Sequence, residues 1–252
     1  MSKIYDTKKA AANYDAARAL PQHATSLLRD VLVENIPVNN ISSVLDLGGG
    51  TGRFSSHLQE LYGCPVYTLD PSVEMLKQGV SRNLEGVYWL ASKAEYIPLK
   101  SGSVGLVFMS NVYHHLENPG LAVREISRVL TDRGNLVVRN GTQETDKEIT
   151  WNQFFPEAII FDEKRIPHKQ DIIDFISSEG FKLSKYTVIY QQFTSSYQEY
   201  YEKISQRGLS SLLAISDDAF NAGCRRLKEW VDKQPSDTPV FEPIDLFFFI
   251  KS

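Results

Sequence analysis

The chain has 252 residues, 42% of them hydrophobic and 23% charged, with 27 Lys and Arg against 31 Asp and Glu for a formal net charge of -4. That composition buries a sizeable core but lacks the basic excess that drives non-specific phosphate binding, which disfavours nucleic acid as a partner. Residues 246–250 fall far short of the roughly 20 apolar residues that span a bilayer, the N-terminus has no apolar run of signal-peptide length, and Cys64 and Cys224 build neither a disulfide framework nor a metal cluster. The expectation is a cytoplasmic protein with no membrane span and no metal.

Residues 8–19 are rich in Ala, Lys and Arg behind an Asp6 or Thr7 cap, and residues 22–35 carry Leu and Val at helical spacing, so two helices should precede the first strand. From Ser42 short apolar runs alternate with amphipathic stretches: SVLDLG, FSSHLQEL, PVYTLD, VEMLKQGV, GVYWLA, VGLVFMS, LAVREISRVL and GNLVVRN. Strand and helix in turn predict a parallel sheet of βαβ units. After Gly141 a polar loop and the aromatic segment WNQFFPEAIIF lead to the helical HKQDIIDFISSEG, which Gly180 closes. Residues 182–193 alternate as a strand, residues 195–233 read as two or three helices, and FEPIDLFFFIKS ends the chain as another strand. No repeat or low-complexity run interrupts the pattern.

The most informative segment is VLDLGGGTGRF, residues 44–54, where an apolar strand runs into Asp46, Gly48, Gly49, Gly50 and Gly52 and then into an amphipathic helix. Glycines remove the Cβ atoms that would block a ligand from the backbone, and the helix beyond offers N–H groups and a positive dipole end. Asp70 ends the next strand, beside the loop in a doubly wound sheet, where its carboxylate can accept ribose hydroxyls while also capping the helix that Pro71 opens. Counting from Gly48, Arg53 stands where a dinucleotide fingerprint needs its third glycine, which weakens an NAD reading.

The pattern Asp46-x-Gly48-x-Gly50-x-Gly52 resembles motif I of the class I S-adenosylmethionine-dependent methyltransferases. The resemblance extends over residues 5–140, most like the group that includes the ubiquinone and menaquinone biosynthesis C-methyltransferases. It implies an α/β fold, a doubly wound seven-stranded Rossmann-like sheet with a helical insertion before the last strand. The whole chain would be one domain: a helical cover (1–40), a cofactor-binding core (41–140), acceptor-side elements (141–194), the insertion (195–239) and the last strand (240–252). S-adenosylmethionine would be the cofactor, with its ribose on Asp70, its adenine between residues 71–75 (PSVEM, including Pro71 and Met75) and Ala94, and Asn111 also on the cofactor. Ser92 stands where the family commonly has Asp, Gly105 replaces the Asp of the fourth strand, and Gly134-Asn135 replaces a Gly-Gly turn. The resemblance also implies a mobile cover bearing Tyr5, Tyr14 and Arg18, for which the alternative is a surface helix with a Tyr-to-Arg contact.

Methyl transfer from a sulfonium asks the protein for alignment and a dry site, and for a general base only when the acceptor must lose a proton. His114 and His115 in SNVYHHLENP are the candidates, with His115 preferred and loop packing the alternative for either. Residues 195–233, with Tyr197 and Tyr201, are expected to cover an acceptor pocket; a dimer interface would use the same apolar residues, so monomer and homodimer both stay open. A small organic acceptor is favoured, because no Pro-Pro pair follows the fourth strand and neither cysteine sits where a cytosine nucleophile would. A catalytically silent cofactor-binding protein and an NAD-linked oxidoreductase are the competing classes.

Overall fold

The computed structural model describes residues 21–252. The expected first helix over residues 8–19, with Tyr5, Tyr14 and Arg18, lies outside the described residues. Seven strands, β1 (Val44–Leu47), β2 (Val66–Asp70), β3 (Val87–Ala91), β4 (Val104–Ser110), β5 (Leu130–Asn140), β6 (Phe181–Thr194) and β7 (Val240–Lys251), form one sheet in the order β3-β2-β1-β4-β5-β7-β6. The first five run parallel, and β7 inserts antiparallel between β5 and β6. This is the doubly wound sheet with a terminal antiparallel pair that the strand pattern and the family resemblance imply.

The helices are α1 (Gln22–Asn35), α2 (Ser55–Tyr62), α3 (Val73–Val80), α4 (Pro119–Val129), α5 (Gln143–Asp146), α6 (Pro156–Glu163), α7 (Lys169–Ser178), α8 (Tyr197–Ser205), α9 (Ser210–Ala214) and α10 (Asp217–Val231). Strands covered on both faces read as unbroken apolar runs, and VLDL in β1 is buried at all four positions. On one face α1 and α2 pack Leu28, Leu32 and Leu58 against Val44, Phe108 and Phe248. On the other, Val123 and Ile126 of α4 and Ile172 and Ile176 of α7 meet Leu45, Val107 and Phe247. The α4 helix starts where the sequence says it must: Asn118 accepts the Leu121 N–H at 3.0 Å, and Pro119 occupies the first turn.

Between β6 and β7 the chain makes three helices with a core of their own, in which Phe155, Phe193, Tyr200, Leu212, Phe220 and Leu227 are buried together. Each such side chain contributes about 1.5–3 kcal/mol of burial towards ordering the segment. Gly223 lets α10 seat on this core, since a Cβ there would come within 2.3 Å of the Phe155 ring. The three helices join the carboxyl end of β6 to the amino end of β7, and so lie at the carboxyl end of β5, where ligands bind in open α/β sheets.

Candidate active site

The glycine loop begins as β1 ends, with the N–H groups of Gly48 and Gly49 both donating to the Leu69 carbonyl of β2. Gly49 is required by close packing: a Cβ there would lie 2.6 Å from Thr68 Cγ2 and 2.7 Å from Asp46 Oδ2. Gly52 is required twice over, by a φ of +76° and by Trp89, whose ring would be 2.4 Å from an added Cβ. Asp46 itself is 1% exposed and sits behind the loop, not at its open face. Thr68 donates to Ser55 Oγ at 2.7 Å and Ser55 donates to Asp46 Oδ2 at 2.6 Å, tying β1, β2 and the start of α2 into one brace. Burial pushes the Asp46 pKa up to about 6, opposed by the Ser55 hydrogen bond and Arg53 and assisted by the negative charge of Asp70.

Asp70 closes β2 with both oxygens engaged: Oδ2 accepts the Gly50 N–H at 3.0 Å and Oδ1 the Ser72 N–H at 2.8 Å. The expected helix cap falls to a different residue, because α3 opens at Val73 and it is Ser72 Oγ that accepts the Met75 N–H. Asp70 instead bridges the loop to the turn before α3. Beside it a narrow cleft is lined by Gly48, Pro71, Ala94, His115 and Leu116. Ser92 shapes the edge of this cleft: its N–H donates to the Asp70 carbonyl and its hydroxyl to the Tyr96 carbonyl. Met75 is buried against Gly50.

After β4 the backbone turns sharply. Asn111 adopts φ +55°, a region Asn tolerates better than most residues, and its N–H donates to the Arg139 carbonyl at 2.7 Å. The following 3₁₀ turn, Tyr113–His115, advances about 120° per residue and so aims its two histidines differently. Their rings are 4.2 Å apart, yet His115 lines the cleft and His114 lines a separate cavity. The turn thus sets His114, and not the expected His115, in the wall of the larger cavity. With Asn140 Nδ2 committed to the Gly141 carbonyl, Asn140 Oδ1 faces His114 Nδ1 at 3.2 Å as an acceptor. That assignment puts the ring proton on Nδ1 and makes Nε2 the basic nitrogen.

The cavity, of about 120 Å³, lies between the ends of β4, β5 and β7 and the helical cover, with Asn111, His114, Arg139, Trp151, Arg165 and Glu242 in its wall. The buried Arg139 donates from Nη1 to Ser110 Oγ and from Nη2 to Gln191 Oε1, and shares the Phe54 ring with Arg53. Tyr200 couples the cover to this wall: its hydroxyl donates to Glu242 Oε1 and accepts the Trp151 N–H, both at 2.9 Å. Asp146 accepts from Asn152 at 3.0 Å, and burial, with the neighbouring Asp162 charge, pushes its pKa up to about 6 against the pull of Asn152 and Arg165. From the cover it is Leu209, Ser210 and Ser211 that reach the cavity. Tyr197 instead stands edge-on to Trp230, and Tyr201 lies beneath Lys228.

Sequence reasoning missed Arg139, Arg165, Asp146, Asp162 and Gln191. Arg139 did leave a trace, a charge inside the otherwise apolar strand LVVRN, which a buried strand tolerates only with partners. Among the described residues no group of three His, Cys, Asp or Glu side chains is placed to hold a metal ion, and no helix is long and apolar enough to cross a membrane.

Residues 45–138, from β1 to the end of β5, match the family model of a methyltransferase domain. An uncharacterized methyltransferase of Mycobacterium tuberculosis is 35% identical over 116 residues, 46% of either chain. The ubiquinone/menaquinone biosynthesis C-methyltransferase of Blochmanniella floridana is 29% identical over 150 residues, 56% of this chain and 59% of that one. The matched segment thus spans about half the length of these curated relatives. Among solved structures, a protein assigned as a methyltransferase of an antibiotic biosynthesis pathway in Anabaena variabilis superposes with a TM-score of 0.70 at 21% identity, covering 94% of this chain and 99% of that one. That likeness extends the shared fold beyond the matched domain into the antiparallel pair and the helical cover.

Proposed function

We propose that this chain, which belongs to the class I S-adenosylmethionine-dependent methyltransferases, transfers a methyl group from S-adenosylmethionine to a small organic acceptor in the cytoplasm. The observation that carries the reading is the adjacency of two spaces across one turn: a narrow cleft beside Asp70 and the glycine loop, and a separate polar and aromatic cavity reached past Asn111 and His114. The residues fit an adenosyl group. Asp70 is a carboxylate at the end of β2 of the kind that accepts from ribose hydroxyls, Pro71 and Leu116 give the cleft apolar walls for a base, and the Asp46–Ser55–Thr68 brace supports the loop from behind.

When bound, S-adenosylmethionine supplies a methyl group already activated as part of a sulfonium, so no enzyme nucleophile is needed. The chain's own work is alignment and exclusion of water. Asp70 and the loop hold the nucleoside, Asn111 and the 113–115 turn form the passage, and α8–α10 with Trp151 and Phe193 roof the acceptor side. For an acceptor that must lose a proton, His114 Nε2 serves as the base in this reading, with the ring oriented by the Asn140 contact to Nδ1. The NAD alternative finds no support in the loop, where Arg53 lies 4.3 Å over Phe54 at the position a third glycine would take.

Two measurements test the reading. Calorimetry should show binding of S-adenosylhomocysteine and none of NAD; the opposite pattern would sink it. Incubation with methyl-labelled cofactor and metabolite extracts should then label a small-molecule fraction, whereas binding without any labelled product would leave a silent binding protein.

A further inference from the structure

The acceptor cavity has a surplus of hydrogen-bond donors at one wall. Arg165, two residues beyond the end of α6, donates from Nη2 to Asp162 Oδ1 at 2.6 Å, has Ser211 Oγ 3.4 Å from the same nitrogen, and rests on the Phe161 ring. Its Nε and Nη1 are buried and have no hydrogen-bond partner. A guanidinium has five N–H donors and no acceptor, so only a group rich in acceptor oxygens completes it. Of the acidic groups around it, Asp162 pairs with Nη2, Asp146 accepts from Asn152 and Glu242 from Tyr200, and none of these bonds reaches Nε or Nη1. Neither the cofactor cleft nor the His114 passage uses Arg165. The position also leaves room for the rest of a ligand, because Asp146, Ile149, Asp162 and Ile166 line both this cavity and an adjoining one of about 550 Å³.

We propose that Arg165 is the specificity residue for an acceptor bearing an oxyanion, a carboxylate or a phosphate, which it seats with the Ser210 and Ser211 hydroxyls in the wall of the cavity of about 120 Å³. This rests on the methyl-transfer reading and deepens it by naming the substrate class. The oxyanion binds to the guanidinium as a charge-assisted pair, while the aromatic wall of Trp151 and Phe193 takes the apolar remainder. Asp162 already offsets part of the Arg165 charge, so the discrimination rests on Nε and Nη1, which a neutral isostere with fewer acceptor oxygens leaves unmet.

The test is a set of titrations of the S-adenosylhomocysteine-loaded protein with benzoate, phenyl phosphate and benzamide. At least one of the two anions should bind ten-fold or more tightly than benzamide, and which one does so separates carboxylate from phosphate. In Arg165→Gln that preference should vanish while S-adenosylhomocysteine affinity and the circular dichroism spectrum stay unchanged. Should Arg165→Gln fail to fold, Arg165→Lys carries the test, because a point charge without the planar fork should lose at least five-fold of the preference. Equal binding of all three probes to the wild type, or a preference that survives both substitutions, would overturn the proposal. A titration with S-adenosylhomocysteine alone keeps the outcomes apart: failure to bind it refutes the methyltransferase reading, and loss of anion preference refutes only the Arg165 assignment.

Discussion

Asp46 offers a prediction whose size follows from its surroundings. Its carboxyl is fully enclosed behind the glycine loop, and burial raises its pKa from the ordinary 3.8 to about 6 despite the Ser55 hydrogen bond. A carboxyl whose folded pKa lies above its unfolded one binds more protons in the native state. It therefore lowers stability as pH rises through that window, and its penalty is absent below the unfolded pKa. The distance from 3.8 to about 6 corresponds to about 3 kcal/mol, of which about 1.3 kcal/mol develops between pH 5 and pH 7. In Asp46→Asn the amide oxygen still accepts from Ser55, and any cost of its extra N–H groups is independent of pH. Urea unfolding of both proteins across pH 5 to 7 should show the variant gaining on the wild type by about 1.3 kcal/mol as pH rises, because every other titrating group cancels in the difference. A difference that stays constant within about 0.5 kcal/mol would refute the claim that Asp46 pays a desolvation penalty.

Replacing Asp70 with Ala removes the acceptor for Gly50 and Ser72 and for a ribose, and should weaken S-adenosylhomocysteine by about 1.5–3 kcal/mol in calorimetry; an unchanged affinity would take Asp70 out of the site. The two histidines should separate: His114→Ala lowers turnover with cofactor affinity intact, His115→Ala weakens the cofactor, and equal effects of both on both quantities would show that the turn does not divide them. Tyr200→Phe takes a hydrogen bond from Glu242 and another from the Trp151 N–H, so denaturant unfolding should register a loss of about 1–3 kcal/mol. Hydrogen exchange in the same variant should show α8 and the 150–154 turn losing protection together, and loss in only one of them would mean that Tyr200 does not couple the cover to the cavity wall.

Much of the fold was legible because periodicity and glycine placement are local properties. Runs such as VLDL and VGLVFMS announce strands covered on both faces, and Asn118-Pro119 announces the start of α4. The glycine loop was legible because no other residue type serves: Gly49 and Gly52 would clash with Asp46, Thr68 and Trp89, and no choice elsewhere in the chain relieves that. The antiparallel β7 was expected only through resemblance to a family, since a strand's position in the sheet depends on partners more than a hundred residues away.

What the sequence determined by itself was the sheet's elements, the loop and the acid at the end of β2, each set by a contact within a few residues or by a backbone conformation only one residue type permits. What only the tertiary structure decided was how side chains from distant elements meet. The 3₁₀ turn sends His114 and His115 to different spaces, Ser72 caps α3 in place of Asp70, and Arg139 from β5 meets Gln191 from β6 only because β7 brings the two strands to either side of it. Arg165 and Ser211 lie 46 positions apart, in segments whose sequences carry no mark of each other. Their meeting follows from packing α9 against α6, and packing is a property of complementary surfaces that no single stretch of chain contains.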